Sequence, residues 1–334
     1  PNTYQSCFHP AIKTGWFPTY RILTMNLSNI DFFSDYLSAT IRLSVPLAFA
    51  ALGGLFSERS GVLNIALEGM LLTGAFVSAA VSLTTGNIWI GTLVAVLTGG
   101  ILGLIHAYLC VSLKVNQLVS SLAINLAASG LTAYGARILF DSGTIAVPGI
   151  ETINLFGLKD LPIWEIFFNQ DLLFYLLLLL IIVSTYVIFN TSWGLTLRAV
   201  GEYPQAAATA GISVSLVRYL SVILSGCLAS LGGVYLALVH VKFFTEGMSS
   251  GKGFIALAAI IFGRWHPVNT VLACLLFGAT EALQLRVQAF NLNIPYQFLK
   301  MLPYIIALLA LIGLGGKSTP PAALGKVYFK DSKN

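Results

Sequence analysis

The chain has 334 residues, of which 57% are hydrophobic and only 9% charged, with 18 Lys and Arg against 13 Asp and Glu. A soluble domain carries about 25% charged residues, so these charges cannot clothe a water-facing surface, and a mean hydropathy of +0.84 excludes disordered, fibrous and ordinary cytosolic classes. The net charge of +5 fits basic loops beside anionic membrane lipid and gives no reason to invoke nucleic acid.

Residues 1–24 contain Cys7, His9, Lys13, Trp16 and Arg21 with no sustained apolar run, so they predict neither a spanning helix nor a signal peptide. Met25 opens a more ordinary membrane-protein start. Two readings are open: translation beginning at Met25 with 1–24 as upstream read-through, or a loosely ordered tail. Either way, residues 25–334 form a single transmembrane domain. It contains nine hydrophobic segments, at 36–56, 63–84, 88–113, 116–140, 172–190, 215–240, 253–264, 268–289 and 300–316. A bilayer core needs about 20 apolar residues per helix, so the fold class is an all-α, polytopic transmembrane bundle of about nine spans. The runs are continuously apolar and do not alternate, which excludes a β-barrel. The seventh segment would cover only about 18 Å as a helix, which predicts a discontinuous or re-entrant element lining a cavity.

The 141–171 loop holds Asp141, Glu151, Asp160, Glu165 and Asp171 against Lys159, whereas the tail holds Lys317, Lys326, Lys330 and Lys333. The positive-inside rule puts the tail in the cytoplasm. Counting back places Arg59, Lys114, Arg198, Arg218 and Arg264 inside as well, and the 141–171 loop outside. The chain also resembles itself: Ala51–Phe56 is similar to Ser230–Tyr235, and Glu68-Gly69-Met70 recurs as Glu246-Gly247-Met248. Five spans separate the copies, so the second is inverted, a common plan in transporters. Without a CxxC or a His/Cys cluster, no metal site or disulfide scaffold is expected.

The 191–214 connection is the long polar loop on the inner side. Gly201 is expected to end one element, Pro204 to start a short helix and Gly211 to stop it. The run Gln205-Ala206-Ala207 with Gly211 resembles the coupling loop of ABC importer permeases, whose consensus is Glu-Ala-Ala, three residues, Gly, with Gln in place of Glu. Arg198-Ala199-Val200-Gly201-Glu202 with Pro204 and Ala210-Gly211-Ile212 extends the likeness to permeases of the branched-chain amino acid and simple-sugar superfamily. Phe56-Ser57-Glu58-Arg59-Ser60-Gly61 through Glu68-Gly69-Met70 is similar to the signature of the nucleoside and simple-sugar branch, with Ala66 where Gly is usual. Gly263-Arg264-Trp265-His266-Pro267 and Pro321–Lys326 match too.

The resemblance implies a multi-pass permease of the bacterial cytoplasmic membrane, with ATP bound on cytoplasmic ATPase subunits and no cofactor on this chain. It also implies a second permease, as a homo- or heterodimer, and an extracytoplasmic solute-binding protein. Coupling to the ATPase then falls to Arg198, Gly201, Glu202, Pro204, Gln205, Ala206, Ala207 and Gly211. Gly315-Gly316-Lys317-Ser318 is not a P-loop, because Leu311 stands where its first Gly should be and no strand precedes it. Candidate path residues are Asn64, Glu68, Asn116, Gln117, Asn125, Glu281 and Gln284. Most are neutral hydrogen-bonding groups, suited to a hydroxyl-rich solute without an ammonium or carboxylate. The bland reading of each is an interhelical hydrogen bond, or for Glu281 an internal ion pair. His106 is expected to satisfy a neighbouring helix, Gly99 and Gly103 to pack helices, and Arg42 to snorkel outward. The alternatives are an ion-coupled secondary transporter using Glu68, Glu246 or Glu281, and an intramembrane enzyme, for which no catalytic pair is visible.

Overall fold

The computed structural model describes residues 29–140, 144–154, 169–289 and 319–329, with a few positions between 297 and 309. The helices are α1 (Asn29–Arg59), α2 (Leu67–Thr85), α3 (Ile88–Ala107), α4 (Gln117–Phe140), α5 (Leu172–Asn190), α6 (Ser192–Glu202), α7 (Pro204–Thr209), α8 (Val214–Val234), α9 (Lys252–Phe262) and α10 (Pro267–Ala289). Wide π turns extend α3 over Tyr108–Ser112 and α8 over Tyr235–Val241. Short strands β1 (Thr144–Ala146) and β4 (Phe243–Thr245) pair antiparallel with Thr144 opposite Thr245, and β2 (Ile153–Asn154) pairs with β3 (Asn169–Gln170).

Seven helices among the described residues are long and apolar enough to cross a membrane, and they correspond to seven of the nine expected segments. The expected seventh segment is α9, whose 11 residues rise about 16 Å. The ninth, 300–316, lies mostly outside the described residues, as do residues 1–24. The most apolar stretches of α1 and α8 are 89% and 78% buried, those of α3, α4 and α5 only 28%. Helices α1 and α8 are therefore the axis of the bundle. The outer helices turn Leu93, Leu97, Ile101, Leu122 and Leu126 outward, where lipid rather than water is the solvent.

The inverted repeat is visible in how that axis packs. A Cβ added to Gly53 of α1 would stand 2.7 Å from the Ser225 carbonyl oxygen of α8, and one added to Gly232 of α8 would stand 2.7 Å from the Pro46 carbonyl oxygen of α1. The shift of 179 residues that carries Gly53 onto Gly232 also carries Pro46 onto Ser225. The same logic continues outward: Gly99 and Gly103 of α3 let α8 approach at Gly226 and Val222, and Gly278 of α10 lets α1 approach at Thr40 and Ser44. Small residues permit close backbone approach, which drives helix association in lipid.

Residues expected on one side of the membrane gather at one end of the bundle. At one end Arg218 donates to the Ser60 and Lys326 carbonyls, Arg59 donates to the Trp265 carbonyl, and the Lys114 ammonium lies 4.3 Å over the Phe329 ring. At the other end lie the β1–β4 pair, the Ile150 amide bonded to the Leu238 carbonyl, and the Arg137–Glu246 ion pair. Arg137 holds the Glu246 carboxyl below the usual carboxylate range.

Candidate functional site

Two adjoining cavities open between α1, α8 and α10 toward the end that carries β1 and β4. The larger, about 630 Å³, is lined by Asp35, Arg42, Asp171, His240, Lys242 and Arg286 among others. Asp171 begins α5: its carboxylate accepts the Phe174 amide at 3.0 Å. Burial pushes its pKa up against that bond. Arg42 is exposed on this side, as snorkelling predicts. The second cavity, about 480 Å³, shares His240 and is lined by Lys252, Glu281, Gln284 and Ser250. Here the Lys252 ammonium donates to both Glu281 oxygens at 2.7 and 2.9 Å. Lys252 is the first residue of α9, and the shortness of that helix is what brings its N-terminus to the cavity.

Asn64, Asn116, Gln117 and Asn125 are the expected neutral lining, yet they line neither cavity. Each is used by backbone instead. Between α1 and α2 the chain is unwound, and its peptide groups cannot be left bare at membrane depth. Helix α4 supplies the partners at four-residue spacing. Gln117 accepts the Leu63 amide at 2.7 Å, Ser121 the Ile65 amide at 3.2 Å, and Asn125 the Gly69 amide at 2.8 Å while donating to the Ile65 carbonyl at 3.0 Å. Asn64 accepts the Ala66 amide at 3.1 Å and donates to the Ser225 hydroxyl at 2.9 Å, and His106 meets the Leu63 carbonyl at 3.1 Å and Ser120 at 2.9 Å. Asn116 is exposed and caps α4 through the Leu118 amide.

Glu68 is likewise engaged. Its carboxylate accepts the Ser249 hydroxyl at 2.6 Å and the Gly251 and Gly253 amides at 2.8 and 2.7 Å. A carboxylate at a helix N-terminus meets bare N–H groups and the positive end of the helix dipole. The first turn of α2 thus caps α9, joining the two halves of the repeat. Of the expected path residues, Glu281 and Gln284 line the second of these two cavities.

The opposite end gathers the motifs that are scattered along the chain. Glu58 accepts the Trp265 indole N–H, and Arg59 donates to the Trp265 carbonyl at 2.7 and 2.9 Å. Arg59 and Arg198 both lie over the Phe189 ring, at 5.9 and 5.4 Å, and His266 stacks on it at 4.9 Å. Burial, with Arg59 close by, lowers the pKa of His266. The polar loop forms two helices, α6 and α7. Pro204 occupies the first turn of α7, and Gly211 comes after it at φ +84°, a left-handed value that suits glycine. Gly201 does not end an element as expected. It sits in the last turn of α6, where a side chain would collide with the Arg59 carbonyl of α1. Pro204 and Ala207 face inward, while Glu202, Gln205, Ala206 and Gly211 are exposed.

Residues 36–311 match the family described as the branched-chain amino acid transport system permease component. The chain belongs to this family. The permease is 38% identical to the guanosine ABC transporter permease protein NupQ of Bacillus subtilis, over 91% of this chain and 99% of that one. It is also 38% identical to the nucleoside ABC transporter permease protein NupC of Lactococcus lactis, over 86% and 94%, and to the putative glucose ABC transporter permease protein TsgC13 of Haloferax volcanii, over 79% and 80%. Each of the three organisms has a second permease relative, at 27%, 22% and 29% identity respectively. No solved structure matches the chain.

As a membrane-embedded ABC transporter subunit, the permease is a transporter and not an enzyme, and it works with ATPase and solute-binding partners. Sequence reasoning missed Lys252, His240 and Asp171 as cavity residues. Lys252 carries a signal in hindsight: a lysine directly before the short apolar run 253–264, where a charge must find a partner.

Proposed function

We propose that the permease imports nucleosides or simple sugars, and that the solute passes along the cavity bounded by Lys252, Glu281, Gln284 and His240. The observation that carries this reading is the Lys252–Glu281 pair facing a cavity of about 480 Å³. A compensated pair offers donors and acceptors with no net charge, which suits a neutral solute rich in hydroxyls or amide-like edges. An ion would need an uncompensated partner. The names of the guanosine, nucleoside and glucose relatives agree with that class.

ATPase subunits would meet the outward face of α7, formed by Gln205, Ala206 and Gly211 with Glu202 beside it, while Arg198, Gly201, Pro204 and Ala207 anchor that face to the bundle. The second permease of the dimer would be a different chain, since each of the three organisms has two relatives of unequal similarity. An ion-coupled mechanism has little support, because Glu68, Glu246 and Glu281 are all engaged by donors.

Uptake of labelled guanosine and of a labelled hexose by the reconstituted complex tests the reading. ATP-dependent uptake of either is expected. Uptake of a branched-chain amino acid, with no response to any nucleoside or sugar, would overturn it. Ala206→Arg, on the exposed face of α7, should abolish uptake while the permease still inserts.

A further inference from the structure

Residues 321–326 form no helix or strand, yet they are pinned at several points across the inner end of the bundle. The Ala323 amide donates to the Gly201 carbonyl at 2.9 Å, and the Ala322 amide to the Glu202 carboxylate at 3.2 Å. The Gly325 amide donates to the Gly61 carbonyl at 3.1 Å. Arg218 closes the group, its Nη1 donating to the Lys326 carbonyl and its Nε to the Ser60 carbonyl, both at 3.2 Å. Pro321 and Ala323 are buried beneath these bonds. One side of the segment therefore holds the last turn of α6, directly before α7. The other side holds the turn from which the unwound stretch 62–66 leads to Glu68, and so to the cap of α9 and to Lys252.

Arg218 is 1% exposed, and its Nη2 has no hydrogen-bond partner among the described residues. A buried guanidinium held by two carbonyls, with one donor group unmet, is costly.

We infer that residues 321–326 are a strap that makes the coupling loop and the α1–α2 turn move together, with Arg218 as its positioning residue. The strap carries displacement of α6 and α7 to the start of α2 with Arg218 of α8 as its fixed point and without passing through α5. The inference rests on the importer reading above, but it concerns how work crosses the permease and not which solute moves.

The test is the ratio of ATP hydrolysed to solute transported by the complete complex in proteoliposomes. Ala323→Pro removes the amide that reaches Gly201, and Arg218→Lys keeps a charge but loses the paired carbonyl contacts. Each should leave hydrolysis nearly unchanged and cut uptake about tenfold, within the usual range of a lost coupling. Hydrogen exchange at amides 62–66 should respond to nucleotide in the unsubstituted complex and stop responding in both variants. The strap is refuted if these amides still respond, or if uptake and hydrolysis fall in equal proportion in assembled complexes. Failure of the unsubstituted complex to move any nucleoside or sugar would count against the solute assignment alone, since the exchange readout needs only nucleotide.

Discussion

The two halves of the inverted repeat share an axis but differ in their second helix. In the first half α2 has 19 residues; in the second, its counterpart α9 has 11. The axis is matched almost atom for atom, with Gly53 against Ser225 and Gly232 against Pro46. The difference shows how a symmetric frame acquires a one-sided site. Shortening one copy leaves a helix N-terminus inside the bundle, which Glu68 from the longer copy caps and which turns Lys252 toward the cavity. Symmetry holds the bundle together, and its local breakdown leaves room for a cavity.

The largest effect should come from attacking the matched axis. Gly53→Val and Gly232→Val each drive a branched side chain into a backbone carbonyl that cannot yield, and each should cost about 3 kcal/mol by overpacking. Thermal unfolding in detergent would show it, and tolerance of one variant but not the other would break the equivalence of the halves. Next come the paired acids Glu68 and Glu246, which share the Glu-Gly-Met motif. Glu68→Ala strips the acceptor from three donors and should cost about 2–3 kcal/mol, whereas Glu246→Ala, in a surface pair, should leave the melting temperature unchanged. A third comparison uses Lys252→Gln and Glu281→Gln. Each single change leaves the other charge unmatched and should cost roughly 1–2 kcal/mol, while the double variant costs less than their sum in a double-mutant cycle.

The smallest effect is a pH slope. The folded pKa of His266 lies below its ordinary 6.5, so the unfolded chain takes up a proton more readily. Stability is unaffected above that value and falls as pH drops through it. Unfolding at pH 7 and pH 5 should differ by less in His266→Asn than in the unsubstituted permease.

The spans were legible because apolar runs of sufficient length have few other uses. The short helix of the 191–214 loop was legible because Pro204, the alanines and Gly211 carry their own start and stop signals. The cavity was not, because a sequence shows the type of a polar side chain but not its partner. Asn64 finds Ser225 and Glu68 finds Gly253 across more than 150 residues, so groups that looked available are already consumed. The ion pair that does face the cavity joins Lys252 to Glu281 across two helices, with no periodicity to announce it.

The π turn at the end of α8 has one consequence of its own. Such a turn holds one more residue than an α-helix would in the same rise, and here the surplus ends at Lys242, with φ +57°. Removing one residue from Tyr235–Val241 would let the segment relax to ordinary α geometry over the same rise, so the chain from Lys242 onward, with β4 and its register against β1, would keep its place. The same deletion one turn earlier, within Val214–Val234, has no surplus to absorb it and would rotate everything downstream by about 100°. The π turn is therefore the one stretch of α8 expected to tolerate the loss of a residue.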